Sequence, residues 1–217
     1  MFLAIARWVP GSGIVFAALV IVAAGLESST PSRHAADTAW TTYYADSGNR
    51  HKEQIAFFLI GLAGLCFLQF LGSLRGALAR AEGEPARITT AAIASGAAFI
   101  ALATASHAVG TAVSWSVGYF GSSFRVDPNT ARLLAGLSFG LFAMSMFAAA
   151  AMALATATLA FHTRVFPAWL AWLSVVAAIG GVLVIFFGLT SFLVLLWIVA
   201  LSAYLVLPQR AIAPPPG

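Results

Sequence analysis

Five stretches of the chain contain no Asp, Glu, Lys or Arg: 8–26, 54–74, 88–124, 133–163 and 165–209. A helix that crosses a bilayer needs about 20 mostly apolar residues. The last stretch is long enough for two such helices, and Phe187-Gly188-Leu189-Thr190 supplies a turn between them. The pattern predicts an all-α, polytopic membrane protein: a single domain of six transmembrane helices at 8–26, 54–79, 88–113, 132–162, 167–187 and 190–207. The first run also has the look of a cleavable signal peptide, with Arg7 ahead of it and Ala23, Ala24 and Gly25 at its end. Its length favours an uncleaved helix, since the apolar core of a signal peptide spans about 7–15 residues.

The polar segments carry helix signals of their own. In 28–53, Thr30 can cap a helix, Pro31 can open it and Gly48 can close it. Ala36, Trp40 and Tyr43 or Tyr44 recur at helical spacing. This predicts a short amphipathic helix at 31–47 on the outer membrane face, its aromatics docking the loop or covering a ligand. Asp127 and Pro128 give the same start signal for the fourth helix. Running to His162, that helix is about 50 Å long and overshoots a bilayer core, so its first turns stand outside. The second helix is expected to continue to Gly83, with Pro85 restarting the third. The tail through Pro214, Pro215 and Pro216 has a polyproline bias and is expected to fray.

Composition narrows the class. Of the 217 residues 61% are hydrophobic and 8% charged, against roughly a quarter charged in a soluble domain, which excludes a water-soluble globule. The net charge of +4 is not a basic stripe interleaved with aromatics, so nucleic acid is not an expected partner. Instead the cations sit between apolar runs. One side holds Arg7, Arg75, Arg80, Arg87, Arg164 and Arg210 against Glu82 and Glu84. The other holds Arg33, Arg50, Lys52, Arg125 and Arg132, diluted by Glu27, Asp37, Asp46, Glu53 and Asp127. The short, arginine-dense 75–87 segment places both termini in the cytoplasm. Trp8, Trp169 and Trp172 then form an inner aromatic belt, and Trp115, Tyr119 and Phe120 an outer one. Cys66, the single cysteine, excludes a disulfide framework and reads as a core residue.

An ionisable residue within a span is a functional candidate, and His107 is the one clearly inside. At about 100° per residue, Thr104, His107, Thr111 and Ser114 share one face of the third helix, extended by Thr89 and Gly96. Lipid offers that face no partner, so it must meet the bundle or a wet crevice. His107 either contacts a ligand or metal beneath the outer mouth, with Trp40, Tyr43 and Tyr44 above it, or packs as a neutral imidazole. Haem would need a second imidazole at similar depth. His51 is the candidate, since His162 falls at the inner surface and His34 in the loop; no cofactor is expected. The loop residues His34, Asp37, Asp46, His51 and Glu53 match no metal motif and read as solvated. Ser12, Ser95, Ser106, Ser138 and Ser145 lack a nucleophile-elbow context, and Gly11-Ser12-Gly13 alone is no phosphate loop. No carboxylate is expected within a span, which disfavours a proton relay. Gly72 with Gly76, and Gly136 with Gly140, predict close helix approach, within the monomer first and with a homodimer or membrane partner second. Gly61, Gly64, Gly180 and Gly181 add notches, and Met144, Met146 and Met152 read as adaptable packing.

The chain resembles the uncharacterised six-span bacterial membrane proteins grouped as a domain of unknown function and frequent in high-GC genomes. The resemblance rests on Trp40-Thr41-Thr42-Tyr43-Tyr44-Ala45-Asp46, Phe70-Leu71-Gly72-Ser73-Leu74-Arg75 with Arg80-Ala81-Glu82-Gly83, Asp127-Pro128-Asn129-Thr130-Ala131-Arg132, and Phe166-Pro167-Ala168-Trp169-Leu170. It implies a six-helix fold in a bacterial inner membrane and brings no assigned activity or catalytic residue. The expected role is non-enzymatic: binding or helping to move a lipid-like or small apolar ligand through an outward crevice, with membrane lipids as partners. The alternatives are a structural or partner-binding membrane subunit and, third, a haem or metal redox protein.

Overall fold

A computed structural model describes residues 9–207, the Ser122 side chain apart. Among them the chain is helical, with no strand. After a 3-10 turn at Val9–Gly11 come α1 (Ser12–Leu26), α2 (Asp37–Ala45), α3 (Ser47–Glu82), α4 (Arg87–Gly110), α5 (Ala112–Phe120), α6 (Pro128–Thr163), α7 (Ala168–Leu183) and α8 (Ser191–Val206). Five segments are long and apolar enough to cross a membrane: Val9–Leu26, Ser47–Glu82, Arg87–Gly110, Pro128–Thr163 and Gly188–Val206. α7 is apolar but has only 16 residues. It stops before the expected 187 because the Phe186 and Phe187 amides both fold back onto the Leu183 carbonyl, 3.0 Å away in each case.

The six longer helices close into a ring, α1 packing on α3, α3 on α4, α4 on α6, α6 on α7, α7 on α8, and α8 on α1. Large apolar side chains fill it, Phe67 stacking against Phe16, Phe70 and Phe99 at centroid distances of 5.1–5.8 Å. Two buried polar contacts join helices of the ring: the Trp197 indole donates to Ser174 at 2.7 Å, linking α8 to α7, and the Ser202 hydroxyl donates to the Pro10 carbonyl. The outer surface is apolar too, with Leu65, Trp169, Trp172 and Phe186 more than half exposed. Trp115, Tyr119 and Phe120 are exposed near the other end of the ring, while Trp8 lies outside the described residues.

Several boundaries differ from those the sequence predicts. The loop helix begins at Asp37, not at Pro31, because the Thr30 hydroxyl meets the Tyr43 hydroxyl at 3.2 Å and does not cap a helix. Gly48 does not close that helix; it lies in the first turn of α3, donating its amide to the Asp46 carboxylate at 2.7 Å. α3 thus starts seven residues ahead of the expected 54, and its first two turns carry Arg50, Lys52 and Glu53. The third predicted helix is broken at Thr111, which separates α4 from α5. α4 is started from the previous helix: Glu82 accepts the Ile88 and Thr89 amides, each at 2.8 Å. The Asp127 and Pro128 signal holds, with Asp127 accepting from the Thr130 amide and hydroxyl at 2.8 and 2.7 Å.

The expected glycine contacts are corrected. A Cβ on Gly72, Gly76, Gly136 or Gly140 would meet nothing within 4 Å, so these four do not bring helices together inside the chain; Gly72 and Gly140 are exposed. Close approach falls elsewhere. A Cβ on Gly181 would lie 2.8 Å from the Met146 carbonyl oxygen, and one on Gly96 would lie 2.6 Å from Leu71 and 2.7 Å from Met152.

Gly181→Ala is therefore expected to lower the thermal stability of detergent-extracted protein by roughly 1–3 kcal/mol, the cost of overpacking, because a backbone oxygen cannot step aside. Gly140→Ala should leave the melting temperature within a degree or so of wild type on the scale of neutral surface changes; equal losses at both sites would refute this packing. The hydrogen bonds from Thr130 hold the Asp127 carboxyl below the usual aspartate value. A lowered folded value means that the charged cap contributes in full above the ordinary aspartate range and is lost as pH falls through the lowered one. The stability gap between wild type and Asp127→Ala, followed by thermal melts, should be constant near neutrality and shrink in strong acid.

Candidate functional site

At the end of the ring opposite the α3–α4 turn, α2 lies across the helix mouths. Its spacing turns Trp40, Tyr43 and Tyr44 inward, where they pack with Val113 of α5 and Ala131 of α6. Two arginines hold it in place. Arg132 of α6 reaches the Ala35 carbonyl at 2.8 Å and the Asp37 carboxylate at 2.6 Å. Arg50 of α3 caps the far end, donating to the Tyr44 and Ala45 carbonyls at 2.6 and 2.9 Å.

Beneath α2 opens a cleft of about 320 Å³, within the range of small-molecule sites. Glu27, Glu53 and His107 line it together with Trp40, Tyr44 and Phe142. Glu53, one to two turns into α3, is 2% exposed and accepts the Ser114 hydroxyl from α5. The Tyr43 and Thr30 hydroxyls neighbour the same carboxylate. Glu27 follows the last turn of α1 and brings its carboxylate to 3.2 Å from His107 Nε2, close enough for an ion pair yet off the line of a hydrogen bond. The Trp40 indole N–H is buried without an acceptor. At the edge, the Arg33 guanidinium stands 4.3 Å from the centre of the Phe139 ring. Burial pushes the Tyr43 hydroxyl up to about 12, reinforced by the Glu53 charge, and moves Tyr44 in the same direction. Both phenols therefore stay protonated donors near neutral pH.

A second, apolar pocket of about 100 Å³ adjoins the first, walled by residues such as Phe16, Ile60, Phe99 and Val194. His107 and Phe142 line both spaces.

The predicted polar stripe of the third helix is only partly assembled. His107 reaches the cleft. Thr104 instead bonds back to the Ile100 and Ala101 carbonyls and lines shallow grooves with Gly61 on the outside of α3 and α4. Thr111 bonds back to the His107 carbonyl at 2.9 Å and does not line the cleft. Ser114 belongs to α5 and serves Glu53. Trp40 and Tyr44 line the cleft as a roof, with Tyr43 beside them. His51 is exposed and lines a different cleft, with Arg50, Gln54 and Tyr119, so it does not face His107. Among the described residues no group of three His, Cys, Asp or Glu is placed to hold a metal ion.

Glu53 and Glu27 were not expected in the site: Glu53, read from the sequence as a solvated loop residue, is buried within the apolar Ser47–Glu82 segment, and Glu27 lies just beyond the first apolar segment. A signal for Glu53 exists. The inward stripe of α3 runs through Phe67, Ala63, Ile60 and Ala56, and one more helical step along it arrives at position 53. The Ser106 hydroxyl donates to the Ser138 carbonyl at 2.8 Å, with the Ser138 hydroxyl 3.2 Å away. No family model, curated protein or solved structure matches the chain.

Ser114→Ala removes the one hydroxyl bonded to Glu53 from α5. Because a buried acceptor left short of donors costs about 1–3 kcal/mol, thermal melts should show a loss of that size in Ser114→Ala and a much smaller one when the same change is made on a Glu53→Gln background. Additive losses would mean that the two side chains are not coupled.

Proposed function

We propose that the chain is an integral protein of the bacterial inner membrane that crosses it six times, with both ends in the cytoplasm, and that it binds or hands on an amphiphilic, lipid-like molecule in the cleft beneath α2. Insertion is supported by five apolar segments of crossing length and by the apolar side chains on the outside of the ring. α7 supplies the sixth crossing: its 16 residues rise about 24 Å, and the apolar turn through Phe186, Phe187 and Leu189 makes up the remainder. Orientation is supported by Arg75, Arg80, Arg87 and Arg164, which by the positive-inside rule face the cytoplasm. Six crossings are also what the resemblance of its motifs to the six-span bacterial group implies.

The observation that carries the ligand reading is the junction of two spaces of opposite character. A cleft that sets Glu27, Glu53 and His107 among aromatic walls and an almost wholly apolar pocket share His107 and Phe142, which suits a molecule with a polar head and an apolar tail. The proposed role is binding, with the Ser114 hydroxyl donating to Glu53 and the Ser106 hydroxyl to the Ser138 carbonyl as fixed parts of the cleft's surroundings. A second reading, a subunit that docks a second copy or another membrane protein, is favoured by the exposed positions of Gly72 and Gly140, where an added Cβ would meet nothing within 4 Å.

Native mass spectrometry of gently extracted protein tests both readings. An amphiphile should remain bound to wild type and be lost from Ala135→Phe, whose ring would enter the cleft, while the variant keeps its melting temperature. Equal adducts on both proteins, or none on either, would overturn the ligand reading. A dimer peak that disappears in Gly140→Leu would favour the second.

A further inference from the structure

Resting on the amphiphile reading of the cleft, we infer that the head it takes is cationic: a protonated amine with a hydrogen-bond acceptor close to it. The charges in the cleft are unbalanced. Two carboxylates, Glu27 and Glu53, line it, and among the described residues neither forms an ion pair with a lysine or arginine; the imidazole of His107 lies 3.2 Å from Glu27. Glu53 is 2% exposed, and a buried carboxylate without a counter-charge is costly unless hydrogen bonds and a cation answer it. An ammonium group entering the cleft supplies both.

The aromatic walls point the same way. A cation over an aromatic face is attracted by the ring quadrupole, and the molecule already makes one such contact with a cation of its own. Arg33, exposed on the segment before α2, sets its guanidinium 4.3 Å from the centre of Phe139, which lines the cleft. Arg33 thus acts as a tethered stand-in at the mouth that an incoming amine would displace. The acceptor requirement comes from Trp40, which is 1% exposed, lines the cleft and has an indole N–H with no partner. Ammonium to Glu53 and Glu27, an oxygen to Trp40 and a chain toward Phe99 in the apolar pocket together use each unmatched feature. A divalent metal is a poorer fit, since no group of three ligating side chains assembles among the described residues.

The test compares three probes with the same alkyl chain, decylamine, decanol and decanoate, for their effect on the melting temperature and for adducts in native mass spectra of the detergent-extracted chain. Decylamine should stabilise most. Its apparent affinity should fall by roughly tenfold to a hundredfold in Glu53→Gln, the range of hydrogen bonds to charged groups, and rise in Arg33→Ala, where the competing cation is gone. Glu27→Gln provides a second, less buried variant should Glu53→Gln fold poorly. If the three probes bind alike and only Ala135→Phe weakens them, the amphiphile reading stands and the cationic head is refuted. If decanoate is preferred and loses affinity in Arg33→Ala, the head is anionic and the inference is overturned. Binding of none of the three removes both this inference and the reading on which it rests.

Discussion

The Glu53 carboxylate, all but hidden from solvent near the start of a long apolar helix, has to be answered by its neighbours, and three elements come together to do so. Ser114 donates from α5, Tyr43 approaches from α2, and Thr30 arrives from the segment before α2. In surroundings with little water an unmet polar group costs several kcal/mol, so this requirement organises the upper end of the molecule. It gives a partner in α3 to Ser114 of α5, the short helix that Thr111 separates from α4. It also explains why α2 is drawn across the ring mouth with its three aromatics inward.

Away from this end the polar economy is local. Thr104, Thr111, Thr156 and Thr158 each donate to the carbonyl four residues earlier, which satisfies a hydroxyl without a second helix. That habit limits what a polar stripe on a helical wheel can mean. Thr104 and Thr111 share a face with His107 on paper, yet each is satisfied by its own helix, and only His107 projects to the cleft. The ring is held instead by aromatic packing, by glycines that meet backbone or branched side chains, and by a few hydroxyl and indole bonds between helices.

Much of the fold was legible because the apolar runs are long. The all-helical class, the turn near Gly188 and the Asp127 cap follow from residue type and spacing alone. The ends of the helices were harder, because a helix does not stop at the first charge beside an apolar run: α3 absorbs Arg50, Lys52 and Glu53 into its opening turns. Thr30 was a sound capping candidate by local chemistry and lost to a tertiary partner, the Tyr43 hydroxyl. The site was half legible. His107, Trp40 and Tyr44 could be singled out by type and period, whereas Glu27 and Glu53 lie just outside the charge-free apolar runs, belong to no helical stripe within them, and acquire meaning only when α1, α3 and α4 converge. The glycine pairs failed for a related reason, since a four-residue spacing marks a flat helix face without saying what lies against it.

The closed ring bears on the order in which the chain can be completed. α1 packs chiefly on two helices, and one of them, α8, comes last among the described residues. In synthesis from the N-terminus, α1 and α3 can pair early, but the Pro10 carbonyl must wait for the Ser202 hydroxyl, and the inner side of α1 stays unsealed until α8 arrives. The final helix is thus the closing stave of a barrel: until it is in place the ring has an open seam, and the apolar pocket beneath the cleft, which takes Val194 of α8 as part of its wall, does not yet exist.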